Sequence, residues 1–295
     1  MTAPNQQLAS EVGFAAEKYR RQLAREWLGR ELPDWPQPCV ITARINRQAF
    51  GETSFSFAGR GRKSRPFDFV MQVNGSRERI LDSVLPHEIS HTIFATHFGQ
   101  PLPRWADEGA CTTVEHVSER RKNHRMLIEF LTTGRGIPFN SMFAMKQYPR
   151  DILPLYAQGY SLCRFLIQRG GKIKFVQFME DGVDTSNWNT AVRQHYGIRD
   201  LSALQVQWLG WVKEGCPGPY PVDQAVIQSG SESSRGAVTA KADYLATRTD
   251  APAGKDGQLS DGNAFPGSQP DTSTEIGGNF YFNEIQRAKN GVLLR

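Results

Sequence analysis

VLPHEISHTIFATHFGQPLPRWADEG, from Val84 to Gly109, holds two helical runs with a break between them. In HEISH the imidazoles of His87 and His91 are four residues apart, so on a helix they project from one face and can grip a single metal ion. Glu88 turns about 100° from His87, toward the His91 side of that face. There its carboxylate is placed to polarise a water at the metal without itself becoming a ligand. A catalytic zinc needs a third protein ligand and one open position. Gly99 suits a helix C-terminus, and Pro101 and Pro103 cannot extend the helix, so the chain turns back. RWADEG, from Arg104 to Gly109, then opens a second helix whose first turn can bring the Glu108 carboxylate to the metal. The expected ligands are His87, His91 and Glu108, with Zn2+ as the cofactor.

His97 is the competing third ligand, ten residues after His87, at the spacing of the last histidine in HExxHxxGxxH proteases. That pattern uses a glycine to break the helix, and here the position is Phe94. If the helix runs on, His97 points roughly 240° away from His91, so Glu108 is preferred. With six histidines in 295 residues a chance HExxH is uncommon, and the WADEG partner makes it more so.

His87-Glu88-xx-His91 followed by Trp105-xx-Glu108-Gly109-Ala110 resembles the gluzincin metallopeptidases, the thermolysin and aminopeptidase superfamily, and especially bacterial peptidase MA-like domains. Tyr156-Ala157-Gln158-Gly159 is similar to the Tyr-x-Lys-Gly segment that carries the oxyanion-stabilising tyrosine of the aminopeptidase branch, which implies that role for Tyr156. The other hydroxyl nearby is Tyr160, one turn on. The gap from His91 to Glu108 is shorter than in the aminopeptidases, Asp107 stands for their asparagine, Gln158 for their lysine, and no GxMEN-like exopeptidase segment precedes the helix. These departures bear on aminopeptidase activity and leave the metal motifs intact.

The resemblance spans roughly Ser10 to Gly215. It implies an α+β, zincin-like fold: a small, mostly antiparallel sheet, then the HExxH helix, then a mainly helical C-terminal subdomain. The implied domain covers residues 1–217, with the N-terminal helix, sheet and active-site helix in 1–99 and the third ligand in 100–217. The implied activity is zinc-dependent hydrolysis of peptide bonds, with Glu88 as general base and a peptide or protein as substrate. The alternative, from a different class, is a catalytically inactive zinc-stabilised module that binds a peptide or a cell-surface polymer.

Upstream, Leu8, Val12, Ala16, Tyr19, Leu23 and Trp27 recur at helical spacing and predict a helix over 6–29 ending at Gly29. Pro33, Pro36 and Pro38 break the chain. Residues 39–45, 53–57 and 67–73 then read as strands, the last two joined by the loop 59–65. In the resembled family the strand beside the cleft pairs with an extended substrate. The segment from Phe67 to Val73 is expected to be either that edge or a plain packed strand. The metal helix is expected over 76–99, starting near Ser83 or kinking there because Pro86 lacks an N–H.

Downstream, the helical pattern from Glu108 is expected to run to Thr133. Glu115, Asp107 and Asp82 are candidates to hydrogen-bond a ligand histidine. His116 and His124 read as surface histidines, and 134–150, rich in Gly, Pro and Phe, as a loop that lines the cleft. Residues 152–169, 172–180, 188–196 and 201–213 read as helical runs separated by Gly182 and Gly197. Trp208 and Trp211 are expected in the core, and His195 either at the cleft or on the surface. From Cys216 the chain is too poor in apolar residues to bury anything, and 218–295 reads as a flexible, low-complexity tail.

The net charge of +5 concerns solubility rather than fold. Arg60, Arg62, Lys63 and Arg65 between glycines read as a solvated loop. They lack interleaved aromatics and any binding motif, so no nucleic-acid partner is expected. Cys39, Cys111, Cys163 and Cys216 show no CxxC spacing, which argues against a second zinc site and leaves disulfides and buried thiols both open. Cys111, three residues after Glu108, is a minor candidate for the metal. No run of about 18 apolar residues is present, so no membrane span is expected. The amino terminus, MTAPNQQLAS, lacks the charged start and apolar core of a signal peptide, so the sequence as given reads as unexported. The resemblance implies export, with a leader preceding it. No feature reads out an oligomeric state.

Overall fold

Asn5 starts the first helix by accepting the Leu8 N–H at 2.8 Å, and Gly29 ends it in the left-handed conformation at φ 70°. The structure, a computed structural model, describes residues 1–59, 64–145, 147 and 149–218. Arg60, Arg62 and Lys63 of the basic loop, and the stretch read as a tail beyond residue 218, lie outside the described residues. The architecture is mixed α+β. Helix α1 (Gln6–Leu28) leads into strands β1 (Val40–Ile45), β2 (Phe50–Ala58) and β3 (Arg65–Gly75). A helical turn α2 (Arg77–Arg79) and a π turn (Ile80–Val84) then feed α3 (Leu85–Phe98). The helical half consists of α4 (Arg104–Thr112), α5 (Val117–Thr132), α6 (Phe139–Ala144), α7 (Leu153–Thr185), α8 (Trp188–Tyr196) and α9 (Leu201–Lys213).

Apolar spacing on α1 buries Leu8, Val12, Ala16, Leu23 and Trp27 against the rest of the molecule. The Trp27 indole, with no exposed surface, meets Phe94 of α3 at 5.1 Å and Phe175 of α7 at 6.0 Å between ring centroids. Each such fully buried side chain contributes roughly 1.5–3 kcal/mol over an exposed one. The contact holds α3 from behind, while β2 and β3 pack on another side of it.

The sheet order is β1-β3-β2, with β3 parallel to β1 and antiparallel to β2. One correction follows. The sheet is mixed rather than mostly antiparallel, because β1 returns alongside the far edge of the β2–β3 hairpin. Of the two readings of Phe67 to Val73, the packed strand holds: β3 is central, paired with β2 along most of its length and with β1 from Val70 onward, so it is not the edge. β2 is the edge strand beside the cleft. The outer side of β1 is partly occupied by the amino terminus, where the Thr2 N–H donates to the Ile41 carbonyl at 2.9 Å and the Ala43 N–H donates to the Thr2 carbonyl at 2.8 Å.

In the helical half, the run expected from Glu108 to Thr133 is two helices. Residues 113–116 break it, and the His116 ring caps α5 by accepting the Ser118 N–H. The segment read as a cleft-lining loop contains α6 instead. Phe139, Met142 and Phe143 of α6 are core residues, and Pro138 supplies its N-cap. Two buried glutamines pin this segment. Gln158 exchanges two hydrogen bonds with the Ile137 backbone, at 2.9 and 2.6 Å, and Gln205 accepts the Phe139 N–H at 2.7 Å. Helix α7 is kinked at Gly171, whose φ of 80° suits glycine. Gly182 does not separate helices. It lies within α7, where a Cβ would fall 1.9 Å from the Trp188 ring. Trp208 and Trp211 are core residues, and the four cysteines are free thiols. Among the described residues no helix is long and apolar enough to cross a membrane.

His124 corrects a further expectation, since only 6% of it is exposed. Burial, followed by the Arg164 and Arg125 charges, lowers its pKa from 6.5 to about 4. A folded-state pKa below the unfolded one means that the unfolded chain binds the proton first. Stability is therefore full above pH 6.5 and falls as the pH drops toward 4. Urea denaturation across that window should show the parent losing roughly 3 kcal/mol more than a His124→Gln variant. Parallel pH profiles for the two proteins are the contrary result.

Candidate active site

The helical run that carries the two histidines begins at Ser76, whose Oγ accepts the Arg79 N–H, and ends at Gly99 with φ 61°. Pro86 does not start it afresh. The chain passes Pro86 through the π turn, in which the Leu85 N–H donates to the Ile80 carbonyl. Continued in that register, the next donor would be residue 86, and proline has none. The Tyr19 hydroxyl of α1 fills the gap by donating to the Leu81 carbonyl at 2.9 Å. The π turn leading into α3 is thus tied to α1 six residues before the first histidine, and such turns are often found at functional sites.

His87 and His91 lie a turn apart, with ring centroids 4.9 Å from each other. Their Nε2 atoms both face Glu108 Oε2, at 3.5 Å from His87 and 4.0 Å from His91. Glu108 is delivered by α4, which turns back after Gly99, Pro101 and Pro103. Helix α4 reaches its depth through glycines. A Cβ on Gly109 would lie 2.5 Å from the Gly159 backbone of α7, and one on Gly159 would lie 2.3 Å from the Trp105 carbonyl. The two helices therefore cross backbone to backbone, beside Glu108 on one and Tyr156 on the other.

The Nδ1 atoms face away from Glu108 toward other carboxylates: His87 to Glu115 Oε1 at 2.6 Å and His91 to Asp107 Oδ1 at 2.9 Å. A carboxylate accepts, so each Nδ1 is placed to donate to its partner, and each Nε2 is the nitrogen turned toward Glu108. Glu115 takes this position because the chain breaks after Thr112. Arg104 stands 3.5 Å from the other Asp107 oxygen. Asp82, the remaining candidate for this role, accepts instead from the Ser83 hydroxyl at 2.9 Å.

Glu88, 4% exposed, enters the same cleft from the sheet side of α3. Its Oε2 accepts from the Thr53 hydroxyl of β2 at 2.6 Å. Burial drives its carboxyl above the usual range, against the opposing pull of His87 and His91. Burial disfavours protonated His87, but Glu108 and Glu115 outweigh it and raise that imidazole well above its ordinary value. Tyr156 is half-buried and lines the cleft, whereas Tyr160 is 3% exposed and packed in the core.

Two imidazoles and a carboxylate are a donor set that suits zinc. Ligands 2.0–2.1 Å from one tetrahedral zinc stand about 3.3 Å apart, close to the 3.5 and 4.0 Å separations here. Cys111 offers a rival set, since one ligand atom from each of His87, His91 and Cys111 falls within 4.8 Å of the others. Its sulfur, however, lies 3.4 Å from His91 Nδ1, the nitrogen whose proton Asp107 binds. Among the described residues the mutually close group is His87, His91 and Cys111, while Glu108 stands 3.5 and 4.0 Å from the two Nε2 atoms.

His97 and His195 are elsewhere, paired with Glu180 at 2.9 Å and Asp181 at 2.7 Å of α7. Thr53 and Gly51 are site residues that sequence reasoning missed. Both lie on the same face of β2, but nothing in the local alternation says which face meets α3. The cleft is also lined by Phe55, Phe57, Leu102, Arg79, Glu119 and Lys122. Comparison with protein-family models, curated proteins and solved structures gives no match.

The glycine crossing predicts that Gly109→Ala lowers the unfolding free energy by roughly 1–3 kcal/mol, as overpacking does. Gly210→Ala in α9, where an added Cβ meets nothing within 4 Å, should be neutral or slightly stabilising. Chemical denaturation of both variants checks this, and equal effects would show that the crossing is slack.

Proposed function

We propose that this protein is a zinc-dependent peptidase of the gluzincin type, with His87, His91 and Glu108 as the metal ligands and Glu88 as the general base. The observation that carries this reading is the convergence of both Nε2 atoms on Glu108 while Glu88, held out of the ligand set, faces the same cleft. When bound, zinc polarises a carbonyl and lowers the pKa of water toward about 7. Glu88 takes the proton of the attacking water and passes it to the leaving nitrogen. Its raised pKa suits a group that must both accept and return a proton. Tyr156, at the rim, donates to the oxyanion that develops on the scissile carbonyl. Glu115 and Asp107 keep the two imidazoles in the ligating tautomer. The edge of β2, rather than that of β3, receives the substrate as an added strand, because backbone donors and acceptors on that side are not used by the sheet.

Metal analysis combined with a peptide-library digest tests the reading. Glu88→Gln is expected to retain zinc and to abolish turnover, and a variant that cleaves at the parent rate overturns the assignment. Glu115→Gln is expected to weaken zinc binding on the order of 10- to 100-fold, as loss of a partner behind a ligand histidine does. A parent that binds zinc and cleaves nothing favours the binding-module alternative.

A further inference from the structure

We infer that Thr53 is the positioning residue for the Glu88 carboxylate, and that β2 therefore both seats the substrate and aims the base. The catalytic arm of this inference rests on the peptidase reading above. Glu88 is a long side chain with several rotatable bonds, and α3 by itself leaves its carboxylate free to swing. Two residues of β2 remove that freedom. The Thr53 hydroxyl has one proton, and it is committed to Glu88 Oε2 at 2.6 Å in a site where Thr53 is 9% and Glu88 4% exposed. Two positions earlier on the same strand face, a Cβ on Gly51 would stand 2.3 Å from Glu88 Oε1 and 2.6 Å from its Cγ. Glycine leaves just enough room for the carboxylate to lie against the strand. One oxygen is thus tethered by Thr53 and the other lies against Gly51 of the same strand, so both are fixed relative to β2.

The register supports a single rigid unit. Thr53 is paired with Met71 and Gly51 with Val73 of β3, and both partners are wholly buried beneath α3. A hydroxyl held on a sheet is a more exact guide than one on a loop, and displacement of a reacting group by about 1 Å can cost on the order of 100-fold in rate.

The test compares Thr53→Val, which keeps the shape and removes the donor, with Thr53→Ser, which keeps the donor, in the full chain loaded with zinc. Thr53→Val is expected to lower kcat on the order of 10- to 100-fold with KM within about twofold, and with zinc content and melting temperature close to the parent. Thr53→Ser is expected to recover most of that loss. An independent readout is calorimetric binding of acetohydroxamate, a zinc chelator that also places a hydroxyl proton beside the base; its affinity should fall about tenfold in Thr53→Val, the loss of one charge-assisted hydrogen bond. Parental kcat in Thr53→Val, a loss that Thr53→Ser shares in full, or loss of zinc in Thr53→Val each overturns the inference. If the parent cleaves no peptide, the peptidase reading fails by itself, and acetohydroxamate binding still decides: equal affinity in parent and Thr53→Val overturns the role of Thr53.

Discussion

The backbone contact between α4 and α7 at Gly109 and Gly159 is the constraint from which the site geometry follows. A Cβ on either glycine would stand 2.3–2.5 Å from the facing backbone, so the helices would have to move apart by about 1 Å and Glu108 would shift away from the histidines with its helix. Because the interior is close-packed, such a shift is not absorbed locally. Around this crossing the aromatic residues Trp105, Phe143, Trp188 and Phe178 form a continuous chain joining α4, α6, α7 and α8, with centroid separations of 4.3, 5.3 and 5.6 Å. The helices that carry Glu108 and Tyr156 are therefore braced against each other by large, rigid side chains.

Charge is the second constraint. Four carboxylates, from Glu88, Asp107, Glu108 and Glu115, surround two imidazoles in a largely buried cleft. Concentrating like charge away from water is costly unless an opposite charge accompanies it. Protonation of both histidines would offset part of this, as the raised His87 and His91 pKa values indicate. A divalent cation between the Nε2 atoms and Glu108 would balance it more fully and let both rings remain neutral. That is the electrostatic complement to the donor geometry and the reason the zinc reading suits this arrangement.

The resemblance motifs acquire physical content in the structure. The glycine of WADEG and the glycine after Gln158 are the two halves of one helix crossing. Gln158, where the aminopeptidases have lysine, turns from the cleft and clamps Ile137, so this position serves the fold here. Tyr156, two residues before Gln158, is at the cleft, while Tyr160, two residues after it, is inside the core. The two tyrosines are distinguished by which side of α7 the core occupies, a matter that their sequence spacing leaves open.

What the residues determined unaided was local. The i, i+4 spacing of His87 and His91, the glycine stops at Gly29, Gly99 and Gly197 and the apolar rhythm of α1, α8 and α9 are set within a few turns of chain. The position of Glu108 was legible because it follows the histidines across one short turn. Tertiary structure alone decided the rest. Strand order placed β3 in the centre and β2 at the edge. The break after Thr112 swung Glu115 onto His87, and burial turned His124 from a surface residue into a core one. It also brought Thr53 to Glu88 from 35 positions away. Pairing and face depend on contacts between segments distant in the chain, and local propensity carries no information about which distant partner a side chain will meet.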